Sequence, residues 1–291
     1  MLNETNVLIV SLLGGVVPAF FWLWFWLRED RLRPEPKSAL LSAFLGGIVA
    51  VLLALFFELI FYYLIVDANP RSIQEFPDIL RSSLQGLVNK YNIIDWQTNF
   101  WIPIQNLFDN FNSSVINNFD IKRAFLVVIM APIIEEILKF ILTYNICLRR
   151  KVNDEPVDAS IYMLTSALGF AAIETMLFLT KPLADGNILD GLIATNFRSI
   201  GPMLIHLISS AVLGLFIGLA FYKGKFMRTI YMAFGLMMAV LLHGVFNFFI
   251  ILNDTTHNLA YFWIACGGTW IMVFVLFFLF RKVKMVAKPI Y

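Results

Sequence analysis

The chain has 291 residues, of which 59% are apolar and 14% charged, and its formal net charge is +2 at pH 7. Charged residues make up about a quarter of a typical soluble protein. The composition therefore excludes an ordinary soluble domain and indicates a membrane protein, whose first partner is the lipid bilayer. A net charge this small offers no basic field for nucleic acid, and two cysteines cannot build a disulfide framework.

Seven apolar segments are long enough to cross a bilayer, which takes about 20 apolar residues in a helix. In chain order, we predict spans at residues 7–27, 39–66, 122–150, 159–180, 199–222, 229–252 and 258–280. The first is too long and too aromatic for a signal-peptide core. Short polar loops separate most of the others, among them a glycine-bearing loop at 181–196. The fold class is therefore an all-α polytopic membrane protein with about seven transmembrane helices, placed in the cell membrane.

The distribution of Lys and Arg predicts how these spans are oriented. The loops at 28–37, 149–151 and 223–228 and the tail from residue 281 together hold fourteen Lys and Arg residues, and the opposite side holds seven. Because positive residues concentrate on the cytoplasmic side, we predict an external N-terminus and a cytoplasmic C-terminus. The long polar stretch at 67–121 is then an extracytoplasmic loop, and 1–291 is a single integral membrane domain.

The third segment, KRAFLVVIMAPIIEEILKFILTYNICLRR, carries three ionisable residues near its middle: Glu135, Glu136 and Lys139. A charge at that depth costs several kcal/mol unless it is paired, protonated or in contact with water. Glu135 and Lys139 are spaced i,i+4 and Glu136 and Lys139 i,i+3, so the three groups lie close together. A Glu–Lys pair that only stabilises helix packing would explain one of the two carboxylates and leave the other unexplained. Pro132 removes a backbone donor just before the pair, which predicts a local kink or a freed carbonyl.

Polar residues also occur inside three later spans: Glu174, His206, His243 and Asn247. Carboxylates and imidazoles are ligands of zinc-type ions, and a glutamate can also deprotonate a water molecule. The residue types therefore fit hydrolysis, although a proton relay or a proton-coupled transporter would also bury them. Glu58 lies near the end of its span, within reach of the interface, and we interpret it as structural.

The chain resembles the PrsW family in a set of motifs that occur in order on successive spans. They are EEILK at 135–139, FAAIE at 170–174, Arg198 with His206, HGVFN at 243–247, and the DRLRPEP loop after the first span. Each motif is short, and four in register are specific. Thr175 departs from the pattern, since Asn is expected after the glutamate; this puts a role for that position in doubt, not the glutamate itself.

The resemblance implies an intramembrane protease related to the CAAX-processing and abortive-infection superfamily. Its best-known member makes the first cut in an anti-sigma factor, so the expected partner is a transmembrane protein substrate. The implied catalytic residues are Glu135, Glu136, Lys139, Glu174, His206, His243 and Asn247. Of these, Glu135, Glu174, His206 and His243 are the expected ligands of zinc or another divalent metal. A glutamate-activated water without metal is the second mechanism that fits, and a non-hydrolytic transporter or immunity-type binding protein is the alternative function.

Overall fold

The protein is described by a computed structural model at residues 4–28, 34–65 and 124–286. The predicted extracytoplasmic loop at 67–121, part of the DRLRPEP loop and the last five residues lie outside this description. The described part of the chain forms eight α-helices: α1 (Glu4–Leu27), α2 (Lys37–Ile65), α3 (Ala131–Thr143), α4 (Asp158–Ala184), α5 (Ile188–Ile200), α6 (Pro202–Leu219), α7 (Lys225–Thr256) and α8 (Leu259–Lys284).

Six described helical segments are long and apolar enough to cross a membrane: Thr5–Leu27, Lys37–Tyr62, Asp158–Ala184, Ile188–Leu219, Lys225–Thr256 and Leu259–Lys284. This confirms the all-α polytopic class and a multi-pass membrane location. Helix α3 is not among the six; it has 13 residues and contains the three charged groups. Its crossing of the bilayer, the seventh span and the orientation stay predictions.

Helix α4 lies at the centre of the bundle. In its most apolar stretch 83% of the residues are buried, against 28–39% for α1, α2, α7 and α8. Small residues allow its neighbours to approach, because helices in lipid associate mainly through close packing. A Cβ atom on Gly47 of α2 would lie 1.8 Å from the carbonyl oxygen of Ser166, and one on Gly169 would lie 2.0 Å from that of Phe44. Glycine at both positions therefore fixes the crossing of α2 with α4.

Helix α3 is bounded by two π-helical turns, Leu126–Met130 and Tyr144–Leu148. The first turn ends directly before Ala131 and Pro132. Proline has no N–H group, so a carbonyl one π-turn earlier loses its helical partner. That carbonyl is Val127 O, and it accepts a hydrogen bond of 3.1 Å from the Asn247 side chain of α7. The freed carbonyl predicted from Pro132 is thus present, and it joins the first π-helical turn to α7.

The predicted loop at 181–196 is wrong, because most of this stretch is helical. Helix α4 continues to Ala184, and after a short turn α5 begins at Ile188. Gly186 has a positive φ of 83° and reverses the chain there. Ile188, Leu189, Leu192 and Ile193 are all exposed and spaced as on one helix face. The Asn, Asp and Gly residues of this stretch are typical of loops, and the loop was predicted from them although the apolar residues have helical spacing.

Candidate active site

Four helices bring the predicted polar residues together in the interior of the bundle. Helix α3 provides Glu135, Glu136 and Lys139, α4 provides Glu174, α6 provides His206 and α7 provides His243. Both histidines are only 2% exposed, and Glu136 and Lys139 are fully buried. The two imidazole rings meet edge to face with centroids 4.7 Å apart. The expectation that these positions form one cluster therefore agrees with the geometry.

The carboxylate of Glu136 has four hydrogen-bonding partners in the cluster. Its Oε1 atom lies 2.6 Å from Lys139 Nζ, 2.9 Å from Ser209 Oγ and 3.1 Å from His243 Nδ1, and its Oε2 atom accepts from Ser210 Oγ at 2.9 Å. A carboxylate with this many donors is held as an anion in a fixed orientation. Glu136 therefore organises its neighbours and has little capacity left to accept a further proton.

Sequence reasoning missed Ser209 and Ser210. The signal available was a pair of hydroxyl residues one turn after His206 in an otherwise apolar helix. Both side chains are fully buried, and in an apolar interior a hydroxyl needs a partner. Their partner is the carboxylate of Glu136 on α3. This contact between two helices could not be inferred from the composition or from the residue spacing.

His206 is held between a carboxylate and an ammonium. Its Nε2 atom lies 2.8 Å from Oε2 of Glu174, and its Nδ1 atom lies 3.1 Å from Nζ of Lys139. Because a lysine ammonium can only donate, Nδ1 is the acceptor here and Nε2 carries the proton that it donates to Glu174. The same logic applies to His243, whose Nδ1 proton is directed at Glu136. Each imidazole is thus oriented by its own glutamate.

Glu135 differs from Glu136 in its surroundings. Among the described residues, no N–H or hydroxyl group donates a hydrogen bond to its buried Oε2 atom. That oxygen lies 3.5 Å from His206 Nδ1, which accepts from Lys139, and 3.9 Å from His243 Nε2. An unpartnered buried carboxylate oxygen is costly and marks a place where a ligand or water molecule binds.

The same three residues fit a metal ion. Glu135, His206 and His243 each offer one donor atom, all within 4.8 Å of one another, and tetrahedral zinc sites place donor atoms about 3.3 Å apart. Metal-binding histidines usually donate their second N–H to a carboxylate, as His206 does to Glu174 and His243 to Glu136. Lys139 uses the lone pair of His206 Nδ1 in this structure, so binding an ion there would require the ammonium to give up that contact.

Glu174, also predicted as a metal ligand, lies outside this group of three donors. Its Oε2 atom bonds the far nitrogen of His206 and lies 2.9 Å from Arg198 Nη2. The guanidinium stacks on the Phe178 ring at 3.8 Å, and its Nε is 3.4 Å from Thr175 Oγ1. The geometry thus gives Glu174 the task of orienting His206, and a direct ligand role for it stays a prediction.

Asn247 is on the same face of α7 as His243 but does not touch the cluster. Its amide donates to Val127 O, and Gly244 permits this approach, since a Cβ atom there would lie 2.5 Å from Val128 O. The HGVFN motif therefore combines one residue of the site with two that fix α7 against α3. A catalytic role for Asn247 stays a prediction.

The described residues form a polytopic helical bundle whose interior holds two histidines and three glutamates, which are the residue types that catalyse hydrolysis. The chain matches the family described as PrsW family intramembrane metalloprotease over residues 96–280, which include every predicted site residue. The chain belongs to this family, and the resemblance seen in its motifs is confirmed. It is therefore a member of a family of membrane-embedded peptidases.

Relatives named Protease PrsW agree with this assignment. The chain is 24% identical to that of Clostridioides difficile over 242 residues, which are 82% of this chain and 78% of the relative. It is 29% identical to that of Geobacillus kaustophilus over 124 residues, 43% of this chain and 51% of the relative. The chain thus spans about half the length of the Geobacillus protein. No solved structure shows significant similarity to the chain.

Proposed function

We propose that this protein is an intramembrane peptidase that hydrolyses a peptide bond near the outer end of a membrane protein's transmembrane helix. The observation that carries the proposal is the Oε2 atom of Glu135, which faces two imidazole nitrogens and accepts no N–H or hydroxyl hydrogen bond from the part of the chain that the structure describes. A water molecule bound there would have a proton acceptor at hand. The substrate class follows from the site's place inside a membrane bundle, and family resemblance suggests an anti-sigma factor as the substrate.

Glu135 performs the central step in this proposal. Its carboxylate takes a proton from the attacking water and delivers it to the amine that leaves, which is the usual work of a general base and acid. Glu136 and Glu174 keep the imidazoles in place. Lys139 balances the charge of Glu136, to which it is bound at 2.6 Å.

We further propose that the site can hold a divalent metal ion. Glu135, His206 and His243 are the residues that would hold zinc or a similar ion. Such an ion polarises the scissile carbonyl and lowers the pKa of a bound water. Without it, Glu135 and the two histidines remain the groups that face the water, so both versions depend on the same residues.

The test is cleavage of a tagged single-span membrane protein by purified full-length chain in liposomes, followed by mass spectrometry of the fragments. We expect two fragments with the wild-type chain and a rate at least about a hundredfold lower with Glu135→Gln. Glu155→Gln, in the loop before α4, is the matched control and should cut normally. Equal cleavage by wild type and Glu135→Gln would overturn the proposal; proton-coupled transport without cleavage would favour the alternative function.

A further inference from the structure

Arg198, in the last turn of α5, is a charged residue within a membrane-spanning segment that the proposed mechanism does not use. Its side chain is 13% exposed, and a charge at such a place is costly unless it is paired. The backbone of the next residue is held from α1, because Trp22 Nε1 donates to Ser199 O at 3.0 Å. Arg198 is therefore kept at a defined place, and its side-chain contacts indicate its role.

Three residues of α4 hold the guanidinium group. Arg198 Nη2 forms an ion pair of 2.9 Å with Glu174 Oε2, and Nε lies 3.4 Å from the hydroxyl oxygen of Thr175. The carbon atom Cζ lies over the Phe178 ring, 3.8 Å from its centroid. A planar guanidinium can stack on a ring and donate from its edge at the same time, which an ammonium cannot do. The three contacts therefore fix the orientation of the group, and Thr175, which departs from the family motif, contributes one of them.

The oxygen that Arg198 meets is the same oxygen that orients His206. Glu174 Oε2 lies 2.8 Å from His206 Nε2 and 2.9 Å from Arg198 Nη2. The Glu174 side chain is 20% exposed, so water competes for its carboxylate. Burying a charge without a partner is unfavourable, and without the cation this carboxylate would gain by turning towards water. Arg198 therefore favours the position in which Glu174 accepts from His206.

We propose that Arg198 is a positioning residue of the site, which acts on His206 through Glu174. This inference rests on the proposed peptidase function and adds α5 to the helices that form the site. A cation in the last turn of a helix is also favourable for that helix by itself, and the ion pair joins α5 to α4. Those effects concern stability alone. A positioning role requires in addition that the loss of Arg198 changes the state of His206.

The kinetic test compares Arg198→Gln with Arg198→Lys in the full-length chain. Arg198→Gln should lower kcat by about tenfold or more, with KM within about twofold, because the groups that bind substrate stay in place. Arg198→Lys keeps a counter-charge for Glu174 and should recover at least about threefold of the lost kcat. Lys181→Gln is the matched control: it removes the cation of an exposed pair with Asp185 near the end of α4 and should leave both constants unchanged.

A double variant tests whether Arg198 acts through Glu174. If both residues serve one hydrogen bond to His206, adding Arg198→Gln to Glu174→Gln should lower kcat by no more than about twofold further. Losses of kcat that multiply would overturn the proposal. A raised KM with unchanged kcat in Arg198→Gln would assign Arg198 to substrate binding and would overturn it as well.

A spectroscopic measurement is independent of proteolysis. The chain has three histidines, so isotope-labelled histidine gives few imidazole signals in magnetic resonance, and His206→Asn and His257→Asn identify two of them. The His206 Nε2 proton should exchange with solvent at least about tenfold faster in Arg198→Gln than in wild type. If Arg198→Gln does not fold, Phe178→Leu removes the stacking contact and should speed the same exchange by about threefold or more.

Unchanged exchange of this proton in the variant that folds would overturn the proposal. If the wild-type chain cuts no substrate, the proposed function fails, and the exchange rate still decides whether Arg198 holds Glu174 against His206.

Discussion

His243 Nδ1 lies 3.1 Å from Oε1 of Glu136, and this contact separates the tasks of the two adjacent glutamates. Glu136 accepts hydrogen bonds from His243, Lys139 and two serines, while Oε2 of Glu135 accepts none from an N–H or hydroxyl group of the described residues. The two adjacent glutamates therefore have different surroundings. We expect Glu135→Gln and Glu136→Gln to affect the stability of the protein differently.

The first prediction concerns Glu135→Gln and Glu136→Gln. Both should reduce proteolysis by at least about a hundredfold, the usual scale for a lost general base or its support. Glu135→Gln should leave the unfolding midpoint nearly unchanged. Glu136→Gln should lower it clearly, because the buried Lys139 then loses its nearest counter-charge, at 2.6 Å, and keeps only Glu135 at 3.8 Å. Cleavage assays and unfolding in detergent check both, and equal unfolding midpoints for the two variants would contradict the division of tasks.

The second prediction concerns the metal. If His206 and His243 are ligands, His243→Ala and His206→Ala should each lose bound zinc as well as activity, and a chelator that reaches the site should inhibit reversibly. Elemental measurement on purified protein gives the metal content. The exposed His257, at the end of α7, provides the control: His257→Asn should keep both metal and activity.

Full activity in protein shown to contain no metal would contradict this prediction. The mechanism in which Glu135 activates water would then be the version that remains. Such a result would leave the predicted effect of Glu135→Gln unchanged, so the two experiments together separate the metal from the carboxylate.

The sequence predicted the helices well because the bilayer sets their length. The start of α4 was predicted at residue 159 and lies at Asp158, and the last span predicted from 258 corresponds to Leu259–Lys284. The order of polar residues on successive spans was also sufficient to propose one cluster. These features depend on hydrophobicity along the chain, which each segment carries by itself.

The direction of individual side chains was harder to predict. Glu58 was placed at the interface because it is near a helix end, but close contact of Gly47 with Ser166 turns that face of α2 inward. Glu174 was expected beside a metal, and Arg198 on the following helix draws it to the other side of His206. Helix rotation and interhelical partners come from packing, which one sequence does not display.

The third prediction concerns Glu35, which precedes α2 and lies outside the membrane-spanning segments. Burial raises the pKa of Glu35 above its ordinary value of 4.5, although hydrogen bonds from Tyr162 and Asp158 oppose the shift. The folded state therefore binds this proton more tightly than the unfolded chain. Its contribution to stability is complete below pH 4.5 and is lost as pH rises through the higher folded pKa.

We therefore expect the unfolding midpoint of the wild-type protein to fall as pH rises from 4.5 towards neutrality. Glu35→Gln should flatten this dependence and raise the midpoint at neutral pH, because no charge then has to be buried at this position. Asp185→Asn, which changes an exposed carboxylate, should follow the wild-type curve. Unfolding measured in detergent across this pH range is the check, and a Glu35→Gln curve parallel to that of wild type would contradict the assignment.

The depth of the site along the membrane normal can be counted at about 1.5 Å per helical residue. In the segment Ile188–Leu219, which is long enough to cross as one span, His206 lies about 27 Å from Ile188 and about 20 Å from Leu219, close to the middle. Glu174 lies about 15 Å from the C-terminal end of α4 and about 24 Å from its N-terminal end. His243 is likewise nearer to the C-terminal end of α7, about 20 Å against 27 Å. Helices α4 and α7 are separated by one span, so their C-terminal ends share one side of the bundle, which the distribution of Lys and Arg predicts to be external.

The last prediction is that the scissile bond lies in the outer half of the substrate's transmembrane helix or just beyond it. We expect water to reach the site from this side, where Arg198 of α5 lies 2.9 Å from Glu174. A substrate helix can also unwind near its end at the least cost in unpaired backbone groups. Mass spectrometry of both fragments gives the position, with Glu135→Gln as the control for adventitious cleavage. A cut on the cytoplasmic side of the helix midpoint would contradict the predicted depth of the site or the predicted orientation of the bundle.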